Sequence, residues 1–392
     1  MPIIDADSHL YETRELWATR IDAGHRDLAL RIVDDAHGNA WLTMGDRRIE
    51  VLGIHDPGDV SQSGTFRQRL QAGLPPLRPY DTMPADFFDP GARLATLDEF
   101  GIDASIVFGN CAIMWEHALW DDPEATRVNM GAWNIRAREL VTEGRGRLFP
   151  VAQMSLRDPE WCEREVAALA AGGVKLVMVA PAPVDGRRLS HPAHERVWAA
   201  CAHHGVAVVF HIAQYPLPFD PAWTADDPDW SNPLLGSVFM WTAPALALAD
   251  LATRGVLARN PELRIGVVEL MSAWLPLFLL QLDGGFAFHA RFNGTPLTPL
   301  DEPPSAYVRR QVRIASFAFE RPLQLAQQAG DLFMFGSDYP HPEGLADPVA
   351  DFTRATGAAP ADHASLWASN AAHLINATPA PTLDVSSGRR PG

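Results

Sequence analysis

Cysteine is scarce in this chain: 392 residues hold three, Cys111, Cys162 and Cys201, far apart. There is no CxxC pair, so neither a zinc ribbon nor a disulfide framework is suggested, and the thiols read as free and reduced. No basic leader with a long apolar stretch opens the chain. It runs from Met1 straight into an apolar strand ending in acids, so no signal peptide is visible. Apolar runs such as AWLPLFLL are too short to cross a bilayer. Positive charge is in deficit, with 32 basic residues against 48 acidic ones and a net charge of −16. That balance disfavours nucleic acid and anionic membranes as partners. A soluble, cytoplasmic protein is expected. No GxGxxG follows the first strand, and no GxSxG, P-loop or Cys/His pair stands out, which counts against dinucleotide binders, serine hydrolases and kinases. No internal repeat is visible.

What is present is an alternation. The chain is 47% hydrophobic, ample for one large core. Eight apolar, β-branched runs bounded by turn signals read as strands: Ile3–Asp7, Ser105–Phe108, Phe149–Met154, Val174–Val179, Val206–Ile212, Arg264–Leu270, Arg313–Ser316 and Leu332–Ser337. Helical patterns at Pro90–Phe100, Asp122–Thr142, Pro159–Ala171, His191–His204 and Pro244–Arg259 fill gaps between them. Strands alternating with helices predict a parallel sheet, and eight of them favour a closed (β/α)8 barrel over an open sheet. Residues 1–376 read as one domain. Two stretches exceed a minimal barrel, about 22–90 and 213–243. Both leave the C-terminal ends of strands and are expected to cover the active-site mouth. The first contains a possible β-rich piece, AWLTMGDRRIEVLG; the second carries Trp223, Trp230, Phe239 and Trp241. Residues 377–392 read as a low-complexity, flexible tail.

The ends of four strands carry the chemistry. Asp7 and His9 are two apart, so a strand points both to one face, inside the barrel. An unpaired charge there is expensive, and a metal would offset it. His211 ends VAVVF, Glu269 ends the sixth run, and Asp338 follows LFMFGS. Each has a bland alternative: Asp7 or Asp338 as a turn residue, His9 or His211 as a satisfied core imidazole. Together, Asp7, His9, His211 and Asp338 form an N/O set without thiolate, suited to Zn²⁺, Mn²⁺ or Fe²⁺. Glu269 reads as a general base, a further ligand or a partner of a ligand. His341 and Glu343 share the turn of Asp338 and could reach substrate or orient a ligand. Glu12, Arg313 and Trp241 are the candidate substrate contacts, Arg313 for a carboxylate. Lys175, within the fourth apolar run, is expected near the barrel mouth.

These residues resemble the amidohydrolase-related metal-dependent proteins, in the branch of aminocarboxymuconate-semialdehyde, resorcylate and carboxyvanillate decarboxylases. The resemblance rests on IIDADSHLYETRELW, DPGARLATLDEFGID, GRLFPVAQMSL, HPAHERVWAACAHHGVAVVFHIA, NPELRIGVVELMSAWLP and FGSDYPHPEG followed by ASNAAHLI. It implies a distorted (β/α)8 barrel with one divalent metal, Zn²⁺ or Mn²⁺, on Asp7, His9, His211 and Asp338. It further implies a dimer or larger homo-oligomer and a small carboxylated or aromatic substrate. Where the decarboxylases of that branch carry a sixth-strand histidine, this chain has Glu269. Asp338 or Glu269 would then supply the proton of a non-oxidative decarboxylation, with His341 beside them. In a hydrolase of a lactone, amide or C–C bond, the same acids would take a proton from water. A barrel that has lost turnover and only binds is the third reading.

Overall fold

Four helices begin the same way. Pro90–Phe100 (α1), Pro123–Glu143 (α2), Pro159–Ala171 (α3) and Pro348–Thr356 (α9) each start with proline after an aspartate. Asp89, Asp122, Asp158 and Asp347 accept the N–H three residues on, and proline there forfeits no hydrogen bond. Asp-Pro thus marks where loop becomes helix. The other helices used below are Glu195–His204 (α4), Thr242–Thr253 (α5), Leu275–Asn293 (α6), Pro304–Gln311 (α7), Pro322–Ala329 (α8) and Asn370–Ile375 (α10).

The computed structural model describes residues 1–34, 36, 40–49, 80, 83–111, 115–212, 218–225, 234–341 and 344–376. Within them run eight parallel strands: Ile4–Leu10 (β1), Ala104–Gly109 (β2), Leu148–Gln153 (β3), Leu176–Met178 (β4), Ala207–His211 (β5), Ile265–Val268 (β6), Val312–Ser316 (β7) and Phe333–Phe335 (β8). They pair in sequence order, and β1 meets the exit of β8 through a Ser8–Tyr339 bridge. His9 N–H donates to Tyr339 O at 2.7 Å and Asp338 N–H to Asp7 O at 2.9 Å. The expected (β/α)8 barrel is therefore the fold, with every expected strand in place.

Two apolar layers hold it. Ile4, Ile106, Phe108, Val151, Val209 and Met334 fill the barrel interior with the floor residues Ala371 and Leu374 of α10. A larger layer lies between strands and helices, around Trp17, Trp133, Trp198 and Leu248. At Gly266 in β6 a Cβ would come within 2.9 Å of Leu374, so the floor helix needs glycine there.

The β-rich piece of the first insertion is real. Leu30–Asp34, Ala40–Met44 and Arg47–Arg48 form an antiparallel sheet, pinned to α2 where Leu30 N–H donates to Asn129 Oδ1. Most of the remaining insertion, the residues around Trp230, Glu343 and the tail lie outside the described residues. One apolar stretch is longer than the sequence reading allowed. Leu234–Thr253 is long and apolar enough to cross a membrane by composition, with mean hydropathy 1.5. In the fold it is two helices, Leu234–Phe239 and α5.

Candidate active site

The C-terminal ends of β1, β5, β6 and β8 converge on one spot. β1 is buried along its whole length, and its register against β2 slips between Asp5 and Ser8. Such a bulge re-aims side chains. Asp7 and His9 both end up buried. His211 closes β5 with its ring on Phe108, centroids 4.2 Å apart. Its Nδ1–H donates to Ile212 O at 2.8 Å, which leaves the Nε2 lone pair facing inward. That nitrogen lies 3.4 Å from Asp7 Oδ1 and 3.3 Å from Glu269 Oε2.

Glu269 and Asp338 are the first residues beyond their strand ends to turn left-handed, at φ 53° and 56°. Non-glycine residues rarely hold that conformation without support. Here the surroundings are built for it. A Cβ at Gly336 would approach Asp7 Cβ to 2.9 Å, and one at Gly344 would approach Asp338 O to 2.7 Å. Glycine lets the Asp338 turn close onto β1. Asp338 Oδ1 stands 3.3 Å from His9 Nε2 and 2.7 Å from His341 Nδ1. The His341 ring stacks on His9 at 3.9 Å, and its Nε2 lies 2.8 Å from Asn110 Oδ1.

The ligating atoms of Asp7, His9, His211 and Glu269 lie within 4.8 Å of one another, as do those of His9, Glu269, Asp338 and His341. Asp7 Oδ1, His9 Nε2 and His211 Nε2 are buried and make no hydrogen bond. A lone pair on His211 aimed at carboxylate oxygens is unfavourable unless a cation lies between them. The electrostatics agree. Burial opposes ionisation of Asp338, but His341 and His9 outweigh it and hold the carboxyl below its usual range. Asp7 is likewise lowered, by His211 and His9 against burial. Burial pushes the His9 imidazole down, yet Asp338 and Asp7 raise it to about 9. The donor set and its charge fit a divalent ion.

Not every candidate is here. Glu12 is fully buried, and its carboxylate accepts the Cys111 N–H at 2.9 Å, so it ties β1 to the β2 exit instead of facing a substrate. Arg313 is the second residue of β7, and the first residues of every barrel strand lie at the floor. Its guanidinium donates to Val312 O and Arg309 O, at the opposite end from the cluster. Lys175, the only lysine of the chain, precedes β4 and is at the floor for the same reason. Trp241 stacks on Trp274 at 6.3 Å, and Trp274 Nε1 donates to Met271 O in the Glu269 loop. It stands one layer behind that loop. Trp223 is exposed.

Three residues escaped the sequence reading. Asn110 engages His341. Asp5 accepts from Ser337 N–H at 2.9 Å, Ser337 Oγ at 2.6 Å and Asp7 N–H at 3.1 Å. Glu320 accepts from the N–H groups of Ser272, Ala273 and Phe317 and from the Ser272 hydroxyl. Only Asp5, in DADSH, offered a local signal: a second acid on the strand of Asp7.

No curated protein matches the sequence. Among solved structures, an amidohydrolase from Mycobacterium avium subsp. paratuberculosis is 28% identical, covering 95% of this chain and 99% of its own, with TM-score 0.76. A 5-carboxyvanillate decarboxylase from Novosphingobium aromaticivorans, solved with manganese and 4-hydroxy-3-methoxy-5-nitrobenzoic acid, is 19% identical, covering 96% of each chain, with TM-score 0.63. A dihydroxybenzoic acid decarboxylase from Polaromonas, solved with manganese and 2-nitroresorcinol, is 16% identical over 96% of this chain and 97% of its own, with TM-score 0.59. The family model for amidohydrolases matches residues 4–376. A match over nearly the whole chain, on a barrel whose strand ends gather two imidazoles and three carboxylates, means that this chain belongs to the amidohydrolase family and is a metal-dependent enzyme of that superfamily.

Proposed function

We propose that the enzyme removes CO₂ without an oxidant from a carboxylated aromatic or enoic acid. The observation that carries the reading is a pair of overlapping clusters at the strand ends, Asp7, His9, His211 and Glu269 in one and His9, Glu269, Asp338 and His341 in the other. Of these, Asp7, His9, His211 and Asp338 would hold one divalent ion, Mn²⁺ or Zn²⁺, with Fe²⁺ also compatible with the donor set. The only lysine is at the floor, so no lysine carbamate is at hand to bridge a second ion. The solved decarboxylases with manganese and aromatic ligands support the choice of reaction. We also propose that residues 1–376 act as one domain, in the cytoplasm, as a homo-oligomer.

When bound, the ion supplies a Lewis acid for the substrate carboxylate and an adjacent oxygen. The chain's own residues do the rest. Glu269, next to His211, delivers a proton to the carbon that bears the carboxylate. The C–C bond then breaks, its electrons stay on the now protonated carbon, and CO₂ leaves. Asp338, paired with His341, keeps its charge and fixes His9. The indoles of Trp241 and Trp274 back the loop of Glu269 and exclude water behind it. A second reading rests on Glu269 itself. A carboxylate where the branch's decarboxylases carry histidine also suits a base that takes a proton from water, hence a hydrolase of a lactone, amide or C–C bond.

A panel of hydroxybenzoate-type acids, assayed for CO₂ with manganese- or zinc-loaded enzyme, tests the proposal. One CO₂ per product formed is expected. Cleavage of lactones or amides without CO₂ would replace it with the hydrolase.

A further inference from the structure

Arg93 stands at the start of α1, and among the described residues it is the only arginine or lysine that is wholly buried. That place is costly. Taking a cation out of water is expensive, and a helix start disfavours positive charge. Its one ion-pair partner among the described residues, Asp86, keeps 3.9 Å away, beyond hydrogen-bond reach. Nη1 is buried and makes no hydrogen bond. For filling space, an apolar side chain would serve better. The other two nitrogens show what the guanidinium is for. Nη2 donates to His9 O at 2.8 Å and Nε to Asp86 O at 3.0 Å, while the group lies over the Tyr339 ring at 4.8 Å.

The bond to His9 repairs a gap in the sheet. A strand residue turns its N–H and its C=O toward the same neighbour. His9 turns both toward β8, and its N–H finds Tyr339 O at 2.7 Å. The parallel ladder would next offer His9 O the N–H of His341. That N–H is spent on Asp338 O at 2.9 Å, inside the turn that follows β8. β8 has ended at Phe335, and the left-handed backbone of Asp338 has left the ladder. Arg93 supplies the missing donor from a helix. We propose that Arg93 is a positioning residue for the metal centre: it fixes the His9 peptide plane, and through it the imidazole shared by both ligand groups. The inference rests on the metal reading of the site proposed above. Asp86 and its neighbour complete the hold. The Asp86 carboxylate accepts from the Tyr339 hydroxyl at 2.6 Å, and Phe87 O accepts from Tyr11 N–H at 2.7 Å. The guanidinium is thereby braced between the end of β1 and the turn after β8. Its planar fork holds two carbonyls in a fixed geometry, which the rotatable ammonium of lysine does not.

Metal binding by the full chain, stripped of metal and free of substrate, is the test, read by isothermal titration with Mn²⁺. Arg93→Met is expected to raise the Kd for Mn²⁺ about 10- to 100-fold, the range for groups that orient a ligand. Arg93→Lys is expected to fall between it and the wild type. Leu97→Ala, one turn further along α1 and also buried, is the control. It removes core packing and leaves the Arg93 bonds, so it should lower the melting temperature with Mn²⁺ affinity unchanged. The visible spectrum of the Co²⁺-loaded protein reads ligand geometry; it should shift in Arg93→Met and match the wild type in Leu97→Ala. An Arg93→Met variant that is less stable but binds Mn²⁺ as the wild type does would make Arg93 purely structural and overturn the proposal. If Arg93→Met does not fold, Arg93→Lys carries the test, and a wild-type Kd there would overturn it equally. A wild type that binds neither Mn²⁺ nor Zn²⁺ would sink the metal reading itself and this proposal with it, a failure that no Arg93 variant can produce.

Discussion

The turn after β8 and the turn after β6 each present an acid to the imidazoles, but they are anchored differently. Both acids have left-handed backbone, and behind each stands a second, buried carboxylate spent on backbone amides. Asp5 holds Ser337, the residue next to Asp338, and lies on the same strand as Asp7 and His9. Asp338, Asp7 and His9 therefore share one rigid seam. Glu320 reaches from the exit of β7 and holds Ser272 and Ala273, three and four residues beyond Glu269. Between anchor and acid lies Met271, itself left-handed at φ 59°. Asp338 is held from the strand of Asp7 and His9, whereas the Glu269 turn is held from the exit of β7, outside that seam. That contrast in anchoring is why we propose ligation for Asp338 and proton transfer for Glu269.

The largest effect should come from breaking the rigid seam. Asp338→Asn and His211→Ala are each expected to lower kcat by about 1,000-fold or more, near 4 kcal/mol in barrier, with the fold retained. Elemental mass spectrometry should find about one equivalent of metal in the wild type and little in His211→Ala. Near-normal turnover in either variant would sink the ligand assignment. Changing the acid outside the seam should cost less. Glu269→Gln is expected to retain the metal and lower kcat about 100-fold, with KM within a few-fold. A change in KM alone would make Glu269 a binding residue and erase the contrast.

Part of this contrast was legible beforehand. Strands buried on both faces are continuous apolar runs, so all eight appeared in the sequence. Asp-Pro steps fixed three helix starts almost to the residue: α1 and α3 begin where the pattern put them, and α2 begins one residue later. Asp7, His9, His211, Glu269 and Asp338 were visible because a polar residue ending an apolar strand is conspicuous, and barrel topology brings strand ends together. The anchors were not. A carboxylate that binds amides 48 residues away, as Glu320 does with Ser272, leaves no periodic trace. Arg313 and Lys175 were misplaced for a different reason: both are at the start of a run, and strand direction alone sends that end to the floor.

The anchors can be tested directly. Glu320→Ala strands three N–H groups, while the Ser272 hydroxyl keeps Ser316 Oγ as its acceptor. Each buried donor left without an acceptor costs about 1–3 kcal/mol, partly recovered by entering water. A net loss of about 3 kcal/mol is expected by urea titration, together with about a tenfold fall in kcat as Glu269 loosens. Glu320→Gln keeps an acceptor for the Ser272 and Ala273 amides and should recover most of both. If Glu320→Ala loses stability but keeps full kcat, the Glu269 turn needs no anchor for catalysis.

Asp5 should give the smallest effect, and one with a pH signature. Burial raises its carboxyl from 3.8 to about 7, against hydrogen bonds from Ser337 and the Asp7 amide. Between those values the unfolded chain has released the proton while the folded protein retains it. The unfolded state then binds fewer protons, so stability falls as pH rises from 3.8 to about 7 and is level above. Asp5→Asn keeps an acceptor for the two amides and removes this penalty, whose ceiling is roughly 4 kcal/mol for a shift of about three units. Loss of charge-assisted bonds to Ser337 offsets part of it, leaving about 1–2 kcal/mol of stabilisation above pH 7. Melting temperatures of metal-free protein should separate across that window, with the asparagine variant higher, and then run parallel. Curves parallel throughout would mean that Asp5 is ionised when folded, held by its donors as a charge. The seam of β1 and β8 would then carry one more negative charge beside Asp7, and the cation it calls for would be needed for folding as much as for catalysis.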